Sequence, residues 1–319
     1  MSGTIVDVPG ITVGHDEDFG ALTGCTVVLF GEHGAVAGVD VRGGAPGTRE
    51  TDLLSPLSSP ERIHAICLTG GSAYGLDAAG GVMRALEERG IGYRVRNVVV
   101  PLVPSAVIFD LGIGDHKRRP DRAMGYRAVA RASSDPPAEG NAGAGCGATV
   151  GKVLGLDRAM KSGIGSASAT NGEGVVVGAI VVVNAVGSVV DPKTGKVIAG
   201  PRNDAGLPID AASFLREQPW RREAPSANTT IGVIATNAAL TKAQATKVAQ
   251  MAHDGLARTI SPTHTSLDGD TLFAASVGTI HTGLDVVGAL AIEAVTAAVV
   301  RAVTQARGAG GLPAYRDLT

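Results

Sequence analysis

Short apolar runs rich in β-branched residues recur along the chain, and glycine or other turn residues bound each of them. Runs of this kind are typical of β-strands. They are "CTVVLF" (25–30), "AVAGVDV" (35–41), "RIHAICLTG" (62–70), "GVVVGAIVVVNAVGSVVD" (174–191) and "TTIGVIAT" (229–236). Only "GEHG" separates the first two runs, so the pattern predicts that they pair as a hairpin with a glycine-containing loop.

Three longer segments, residues 72–90, 241–260 and 283–306, carry apolar residues at helical spacing. The second begins with Thr241 and Gln244, which predicts a capping box at its first turn. The third is apolar nearly all round, so we expect it to be buried between layers. Long Ala-rich helices combined with many apolar strands predict an α/β fold in which helices cover stacked sheets.

A polar, proline-punctuated segment interrupts this pattern at residues 201–228, and it holds the only tryptophan, Trp220. We interpret it as an exposed connector. It ends at the Asn-Thr-Thr sequence that begins the last of the quoted strands.

Composition narrows the class of protein. The 319 residues are 44% hydrophobic and 18% charged, with a formal net charge of −2, so neither sign of charge predicts a nucleic-acid or anionic-membrane partner. The N-terminus has no signal-like apolar region, and no run reaches the roughly 18 apolar residues that cross a bilayer. Three widely spaced cysteines are typical of a reducing compartment, so we expect a soluble cytoplasmic protein.

Several familiar motifs fail on inspection. "GCGATVGKV" (145–153) lacks the residues of a phosphate loop, and "GGSAYG" (70–75) has Tyr74 where a nucleophile elbow needs glycine. We interpret the latter as packing at a helix start, with Tyr74 as a weak candidate for lining a substrate pocket. The histidines show no metal-ligand spacing, and no metal or organic cofactor is predicted.

Two features that carry chemistry remain. The first is Asn228-Thr229-Thr230 at the start of a strand, and the second is "SLDGDTLF" (266–273), which contains Asp268 and Asp270. Side chains at positions i and i+2 of an extended segment point to the same side, so both carboxylates are expected to converge on one site. Taken singly, each has an ordinary alternative: a strand-edge threonine after an Asx turn, and an acidic turn or calcium loop.

A threonine hydroxyl is a poor nucleophile unless a base lies beside it. One solution makes the threonine the first residue of a chain, so that its own α-amine, with a pKa of about 7.7–8.0, serves as that base. The bond between Asn228 and Thr229 would first have to break, by attack of the Thr229 hydroxyl on the Asn228 carbonyl and hydrolysis of the resulting ester.

The sequences "NTTIGVIATNA", "SLDGDTLFA", "GATVGK" and "CLTGGSAYGLDAAGGV" together resemble the DmpA family of self-processing N-terminal-nucleophile hydrolases. The resemblance extends from "PGITVGH" (9–15) to the C-terminal helix. It implies a four-layer α/β/β/α sandwich as a single domain over residues 1–319, cut into an α chain 1–228 and a β chain 229–319. It also implies assembly as a tetramer of such heterodimers.

The same resemblance implies roles for individual residues. Thr229 would be the nucleophile, released by autocleavage after Asn228. Asn184 would donate a hydrogen bond to the oxyanion. The set is completed by a lysine beside the reacting carbonyl, Lys152 with Lys161 as its rival, and by two carboxylates that position Thr229, Asp268 and Asp270.

The chain departs from the characterised aminopeptidases of the family in three respects. Those enzymes use serine as the nucleophile, a Ser-x-Glu pair in place of Asp268-x-Asp270, and a tyrosine in the segment matched by "PLVPSAVIFDLG" (101–112). The sequence is therefore more similar to the nylon-oligomer (6-aminohexanoate oligomer) endo-hydrolase subgroup.

These observations predict a peptidase or amidohydrolase that acts on short peptides or oligoamides through an acyl-enzyme at Thr229. Acyl transfer to another amine, as in the ornithine acetyltransferases, is the alternative within the class. A non-catalytic scaffold that binds metal through Asp268 and Asp270 is the alternative outside it. His264, four residues before Asp268, could reach the site, but we interpret it as a solvated loop histidine.

Overall fold

The apolar runs form strands in which neighbouring side chains face different layers. The computed structural model describes residues 3–217 and 228–318. Its strands are β1 (Thr12–Asp18), β2 (Thr23–Leu29), β3 (Val36–Val41), β4 (Thr48–Arg49), β5 (Ala65–Thr69), β6 (Tyr93–Val95), β7 (Val98–Val100), β8 (Ser105–Val107), β9 (Thr149–Val150), β10 (Met160–Lys161), β11 (Ile164–Thr170), β12 (Val176–Val182), β13 (Ser188–Val190), β14 (Val197–Ala199), β15 (Ile231–Ala238), β16 (Ile260–Ser261) and β17 (Thr271–Ile280). Its α-helices are α1 (Ala78–Glu87), α2 (Arg122–Ala130), α3 (Ala211–Glu217), α4 (Lys242–Ala257) and α5 (Leu284–Thr304).

Two five-stranded sheets stack face to face, one in the order β1-β2-β5-β8-β4 and the other in the order β11-β12-β15-β17-β3. Val28 of the first sheet joins Ile180 and Phe273 of the second in one buried cluster between them. The outer face of the first sheet packs on α1 and α2, and that of the second on α4 and α5. The result is the four-layer α/β/β/α sandwich that the resemblance implies.

The predicted hairpin of residues 25–41 is wrong. β2 lies in the first sheet, whereas β3 pairs with β17 at the edge of the second. Both strands are apolar on two faces because each is covered by a helix on one side and by the opposing sheet on the other. A short glycine-containing loop can therefore cross between layers as readily as it can turn within one, and the hydrophobic pattern does not distinguish the two paths.

The long apolar run at residues 174–191 is two strands, β12 and β13, with a break between Val183 and Gly187. Asn184 stands in that break, fully buried. Since buried amides need partners, an Asn inside an apolar run marks a place where the regular strand ends and a polar site begins.

The helices agree well with the sequence pattern. The Thr241–Gln244 capping box is present: the Thr241 hydroxyl accepts from the Gln244 N–H at 3.3 Å, and the Gln244 side chain accepts from the Thr241 N–H at 2.9 Å. The segment at 72–90 begins as a 3-10 helix over Ser72–Asp77 before α1 starts. Helix α2 was not predicted. The proposed connector contains α3, and its part at residues 218–227, with Trp220, lies outside the described residues.

Contrary to the composition-based expectation, α5 is long and apolar enough to cross a membrane, and within the described part of the chain it is the only such helix. In this fold its apolar residues instead pack on β11, β12 and α4.

The parallel pairing of β15 with β17 is the topological feature that builds the site. Ile231 lies opposite Thr271 at the start of the two strands, and an isolated bridge joins Asn228 to Asp268 just before them. Because parallel strands begin at the same edge of a sheet, the two polar motifs that the sequence separates by some forty residues come side by side.

The close approach of β11 to α5 gives a prediction about stability. A Cβ on Gly165 would lie 2.2 Å from the Ala298 carbonyl oxygen and 2.3 Å from the Ala302 nitrogen, so Gly165→Ala must push the helix away from the sheet. We expect a loss of about 1–3 kcal/mol, seen as a lower Tm. Gly20→Ala is the control, since its added Cβ has only a side-chain atom of Asp18, at 3.3 Å, nearby. Equal Tm values for the two variants would contradict the expected strain.

Candidate active site

Thr229 is buried at the start of β15, with only 5% of its surface exposed. Its N–H donates to the Asn184 carbonyl oxygen at 2.9 Å. Its hydroxyl donates to the Asn228 carbonyl oxygen in a contact closer than an ordinary hydrogen bond, and the Gly269 N–H donates to that same oxygen at 2.9 Å. The hydroxyl and an N–H donor thus meet at the carbonyl group of the bond between Asn228 and Thr229.

The Asn228 side chain is buried, with an exposure of 2%. Among residues 3–217 and 228–318, neither its amide nitrogen nor its amide oxygen has a hydrogen-bond partner. A buried polar group in this state costs roughly 1–3 kcal/mol. The backbone of Asn228 is therefore held at a position where its side chain lacks hydrogen bonds.

Asp270 is tied to the segment that carries the nucleophile. One carboxylate oxygen accepts from the Thr230 N–H at 2.7 Å. The other accepts from the Thr263 hydroxyl at 3.2 Å and from His264, through its N–H at 3.1 Å and its Nδ1 at 2.8 Å. His264 is therefore not the solvated loop residue that the sequence suggested, because its ring turns inward onto a buried carboxylate.

Asp268 faces the break between β12 and β13. Its carboxylate accepts from the Val186 N–H at 3.3 Å and from the Thr265 N–H at 3.0 Å. Burial and, after it, the charge of Asp270 raise the pKa of Asp268 to about 6. The two carboxylates are close enough to repel each other, which agrees with the expectation that they converge.

Asn184 forms hydrogen bonds that connect Thr229 with Lys152. Its side-chain oxygen accepts from the Thr149 N–H at 3.1 Å and from Lys152 Nζ at 2.8 Å. Both partners are donors, so the atom that they share must be the oxygen. The amide nitrogen then donates to the Phe109 carbonyl at 3.2 Å. The oxyanion role predicted for Asn184 thus has to use its second amide hydrogen.

Lys152 is buried against acceptors only: the Thr149 carbonyl at 3.1 Å, and the carbonyl and side-chain oxygens of Asn184 at 3.1 and 2.8 Å. These match the three donors of an ammonium group. Burial nevertheless lowers its pKa to about 7. Because Lys152 and the Thr229 N–H share the Asn184 carbonyl oxygen, the cation lies in the immediate surroundings of the nucleophile.

Lys161, the rival lysine, is equally buried and also has its pKa lowered to about 7 by burial. Its Nζ donates to the carbonyl oxygens of Gly145, Ala148 and Ser162. It supports the loop that leads into Thr149, whereas Lys152 contacts Asn184 directly. The geometry therefore favours Lys152 as the lysine beside the reacting group.

The sequence analysis missed Asp110. This buried carboxylate accepts from the Thr23 hydroxyl at 2.6 Å and from the Gly71 N–H at 2.7 Å, and burial raises its pKa. It lines a small cavity with Lys152; the other lining residues are Phe109, Gly112, Ile113, Gly147, Thr149 and Leu156. An acidic residue inside the apolar stretch "AVIFDLG" was the only signal in the sequence.

Two further predictions can be located. Tyr74 is exposed, and the Arg119 guanidinium stacks 3.8 Å from its ring centre; its substrate-binding role stays a prediction. For the scaffold alternative, residues 3–217 and 228–318 contain no group of three or more His, Cys, Asp or Glu side chains that could hold a metal ion.

Comparison with known sequences places the chain in a family of peptidases. A family model described as Peptidase family S58 matches residues 3–314. An "uncharacterized aminopeptidase" of Mycobacterium tuberculosis is 44% identical, over 99% of this chain and 97% of its own length. A 6-aminohexanoate-oligomer endohydrolase of Agromyces is 36% identical, over 86% of this chain and 75% of its own length.

Solved structures show the same architecture. A β-aminopeptidase of Burkholderia superposes with a TM-score of 0.71 at 25% identity, covering 98% of this chain and 90% of that one. An L-aminopeptidase D-Ala-esterase/amidase of Ochrobactrum anthropi, described as a variant of the Ntn-hydrolase fold, gives a TM-score of 0.72 at 20% identity and covers 99% and 92% of the two chains. The latter likeness concerns the fold alone.

The two buried lysines predict how stability depends on pH. Their pKa values are about 7 in the folded chain and 10.5 for the ordinary group, so between these values the unfolded chain binds more protons. The free energy of unfolding should then rise with pH, by at most about 1.4 kcal/mol per pH unit for each lysine. Urea denaturation at pH 7 and pH 9 measures this rise, and Lys161→Met should reduce it. An unchanged rise would exclude Lys161 as its source.

Proposed function

Since the chain belongs to peptidase family S58 and is therefore a hydrolase of peptide or amide bonds, we propose that it matures by cutting itself between Asn228 and Thr229. Thr229 then becomes the N-terminal nucleophile of a β chain formed by residues 229–319. The observation that carries this proposal is the contact of the Thr229 hydroxyl with the carbonyl oxygen of Asn228.

The first step is a shift of the acyl group from nitrogen to oxygen. The Thr229 hydroxyl oxygen attacks the Asn228 carbonyl carbon, the bond from that carbon to the Thr229 nitrogen breaks, and the hydroxyl proton is delivered, in net terms, to the departing nitrogen. Water then hydrolyses the ester, which leaves a carboxylate on Asn228 and a free amine on Thr229. Release of the unsatisfied Asn228 side chain favours the cut form.

Gly269 supplies the hydrogen bond that the first step needs. Its N–H already donates to the oxygen on which negative charge develops, as an oxyanion donor must. Glycine is needed at this position, since a Cβ there would lie 2.8 Å from the Thr229 hydroxyl oxygen and 2.6 Å from the Ala45 carbonyl oxygen. The donor can therefore lie directly against the nucleophile.

In the mature enzyme the new α-amine of Thr229 inherits the Asn184 carbonyl as its partner. The neighbouring Lys152 cation favours the neutral form of that amine, which is the form able to take the hydroxyl proton. Asp268 opposes this effect and keeps the Lys152 charge compensated, since its own charge raises the pKa of Lys152. Substrate attack by the same hydroxyl yields an acyl-enzyme that water resolves.

The proposed substrates are short peptides and oligoamides. One relative is named an uncharacterized aminopeptidase and another a 6-aminohexanoate-oligomer endohydrolase, and both names refer to hydrolysis of secondary amides, which supports this range. The cavity beside Lys152 is small and holds Asp110 as well as the apolar residues Phe109, Ile113 and Leu156, so it does not define the acyl group of the substrate.

Two isosteric substitutions test the nucleophile. Thr229→Val removes the attacking hydroxyl and should leave one full-length chain. Thr230→Val removes a buried hydroxyl that has no partner in the described part of the chain, and it should still permit cutting. Intact mass under denaturing conditions distinguishes one species from two. Cutting of Thr229→Val at the same bond, or an uncut wild-type chain, would overturn the proposal.

A matched pair of lysine variants tests which cation acts. Lys152→Met should slow hydrolysis of a 6-aminohexanoate oligomer by about 100-fold or more, because the Thr229 amine that serves as the base loses the neighbouring cation that favours its neutral form. Lys161→Met removes an equally buried charge that does not touch Asn184, so any loss of rate should be much smaller once folded protein is compared by near-UV circular dichroism. The reverse order of effects would assign the role to Lys161.

A further inference from the structure

The imidazole of His264 forms a hydrogen bond that takes no part in the proposed steps of self-cleavage. Its Nδ1 lies 2.8 Å from one oxygen of Asp270, whose other oxygen accepts from the Thr230 N–H at 2.7 Å. Since a carboxylate only accepts, Nδ1 carries the hydrogen. The Nδ1 hydrogen bond is the shortest of three contacts to this oxygen, the others coming from the His264 N–H at 3.1 Å and the Thr263 hydroxyl at 3.2 Å, and together they fix the rotation of the Asp270 carboxylate and hence the direction of its second oxygen.

That direction matters most after the chain is cut. Thr229 then has no residue before it, and it is held through its bond to Thr230. The Thr230 N–H is fixed by Asp270, and the Thr230 carbonyl oxygen accepts from Thr271 at 3.0 Å. A swing of the carboxylate would release the first of these bonds and let the nucleophile move, and a displacement of about 1 Å at a reacting group can reduce the rate about 100-fold.

The ring of His264 reaches Asp270 because the backbone at this residue has an unusual conformation. Its φ is +56°, in the left-handed region that residues with a side chain rarely adopt. The ring is packed edge-on against His253, with centroids 4.7 Å apart, and its side chain is only 18% exposed. An exposed loop histidine would need neither the unusual conformation nor the inward packing.

We propose that His264 is a positioning residue, whose Nδ1 donor holds Asp270 in the orientation that anchors the peptide group between Thr229 and Thr230. This inference rests on the proposed function, because it concerns the same nucleophile. His264 does not touch the reacting atoms; it acts through Asp270 on both the self-cleavage and the later turnover.

Three substitutions separate the donor from the backbone strain. His264→Asn keeps a donor close to the place of Nδ1 and tolerates a positive φ. His264→Gly relieves the strain and loses the donor, and His264→Ala loses the donor while the strain remains. Each chain is made by cell-free synthesis so that cutting is followed from its start by intact mass, and the Tm of each is measured.

We expect self-cleavage to be about 10- to 100-fold slower in His264→Gly and His264→Ala, and within about 3-fold of wild type in His264→Asn. For the mature forms, kcat on a 6-aminohexanoate oligomer should fall in the same order with KM unchanged. A structural role would instead make the rates follow Tm, with His264→Gly at least as active as His264→Ala and His264→Asn.

The outcomes are distinguishable from those for the proposed function. A wild-type chain that stays uncut overturns both. A wild-type chain that is cut, together with Gly and Ala variants that are cut as fast as the Asn variant, overturns only the role of His264, as does a loss of rate that tracks Tm across all three.

Discussion

The parallel pairing of β15 with β17 is the constraint on which the site depends. In a parallel pair both strands begin at one edge, so whatever precedes them in sequence meets there. Asn228 and Thr229 precede one strand, and Asp268 and Asp270 precede the other. A one-residue slip would turn Thr230 away from Asp270 and move Gly269 off the Asn228 carbonyl. Both faces of the two strands are buried under the opposing sheet and the helices, so such a slip would disrupt the packing on each face.

Burial of charge is the second constraint, and it accounts for the chemistry available. Lys152, Lys161, Asp110 and Asp268 all lie in a water-poor region, where their ionised forms are disfavoured and the pKa values of the lysines fall while those of the carboxylates rise. The shifts bring the groups toward neutral pH, where a small change in surroundings transfers a proton. Backbone groups and neutral side chains, rather than opposite charges in direct contact, form the hydrogen bonds of these side chains.

The polar motifs of the sequence predict much of this site, because each stands out against an apolar run. Asn184 interrupts a β-branched stretch, and Asp268 and Asp270 precede another, so their residue types alone point to partners. Asp110 was missed and His264 was misinterpreted as a solvated residue for an opposite reason: a single acid in a long apolar stretch and a histidine in a Ser/Thr-rich loop have no periodic pattern around them. Their partners, Thr23 and Asp270, are set by tertiary packing.

The fold shows the same division. Helix α4 follows from its capping box and apolar stripe, which are local. The path from β2 to β3 does not, because the pattern of a strand buried on both faces is the same whether its neighbour in sequence is in its own sheet or in the opposite one. Topology of that kind depends on which pairings bury the most surface, a property of the whole chain.

In the proposed maturation, the uncut and cut forms place opposing demands on one arrangement. Before the cut, the Asn184 carbonyl, the Gly269 N–H and the Asp270 carboxylate hold a continuous chain, while the buried Asn228 side chain has no hydrogen-bond partner among the described residues. After it, the contacts of Asn228 can dissolve, while those of Thr229 and Thr230 must survive without the tether of the preceding chain. Groups that hold the β-chain side of the bond, Asn184 and Asp270, therefore have to be rigid. The contacts on the α-chain side can be weak, because Asn228 has to move away after the cut.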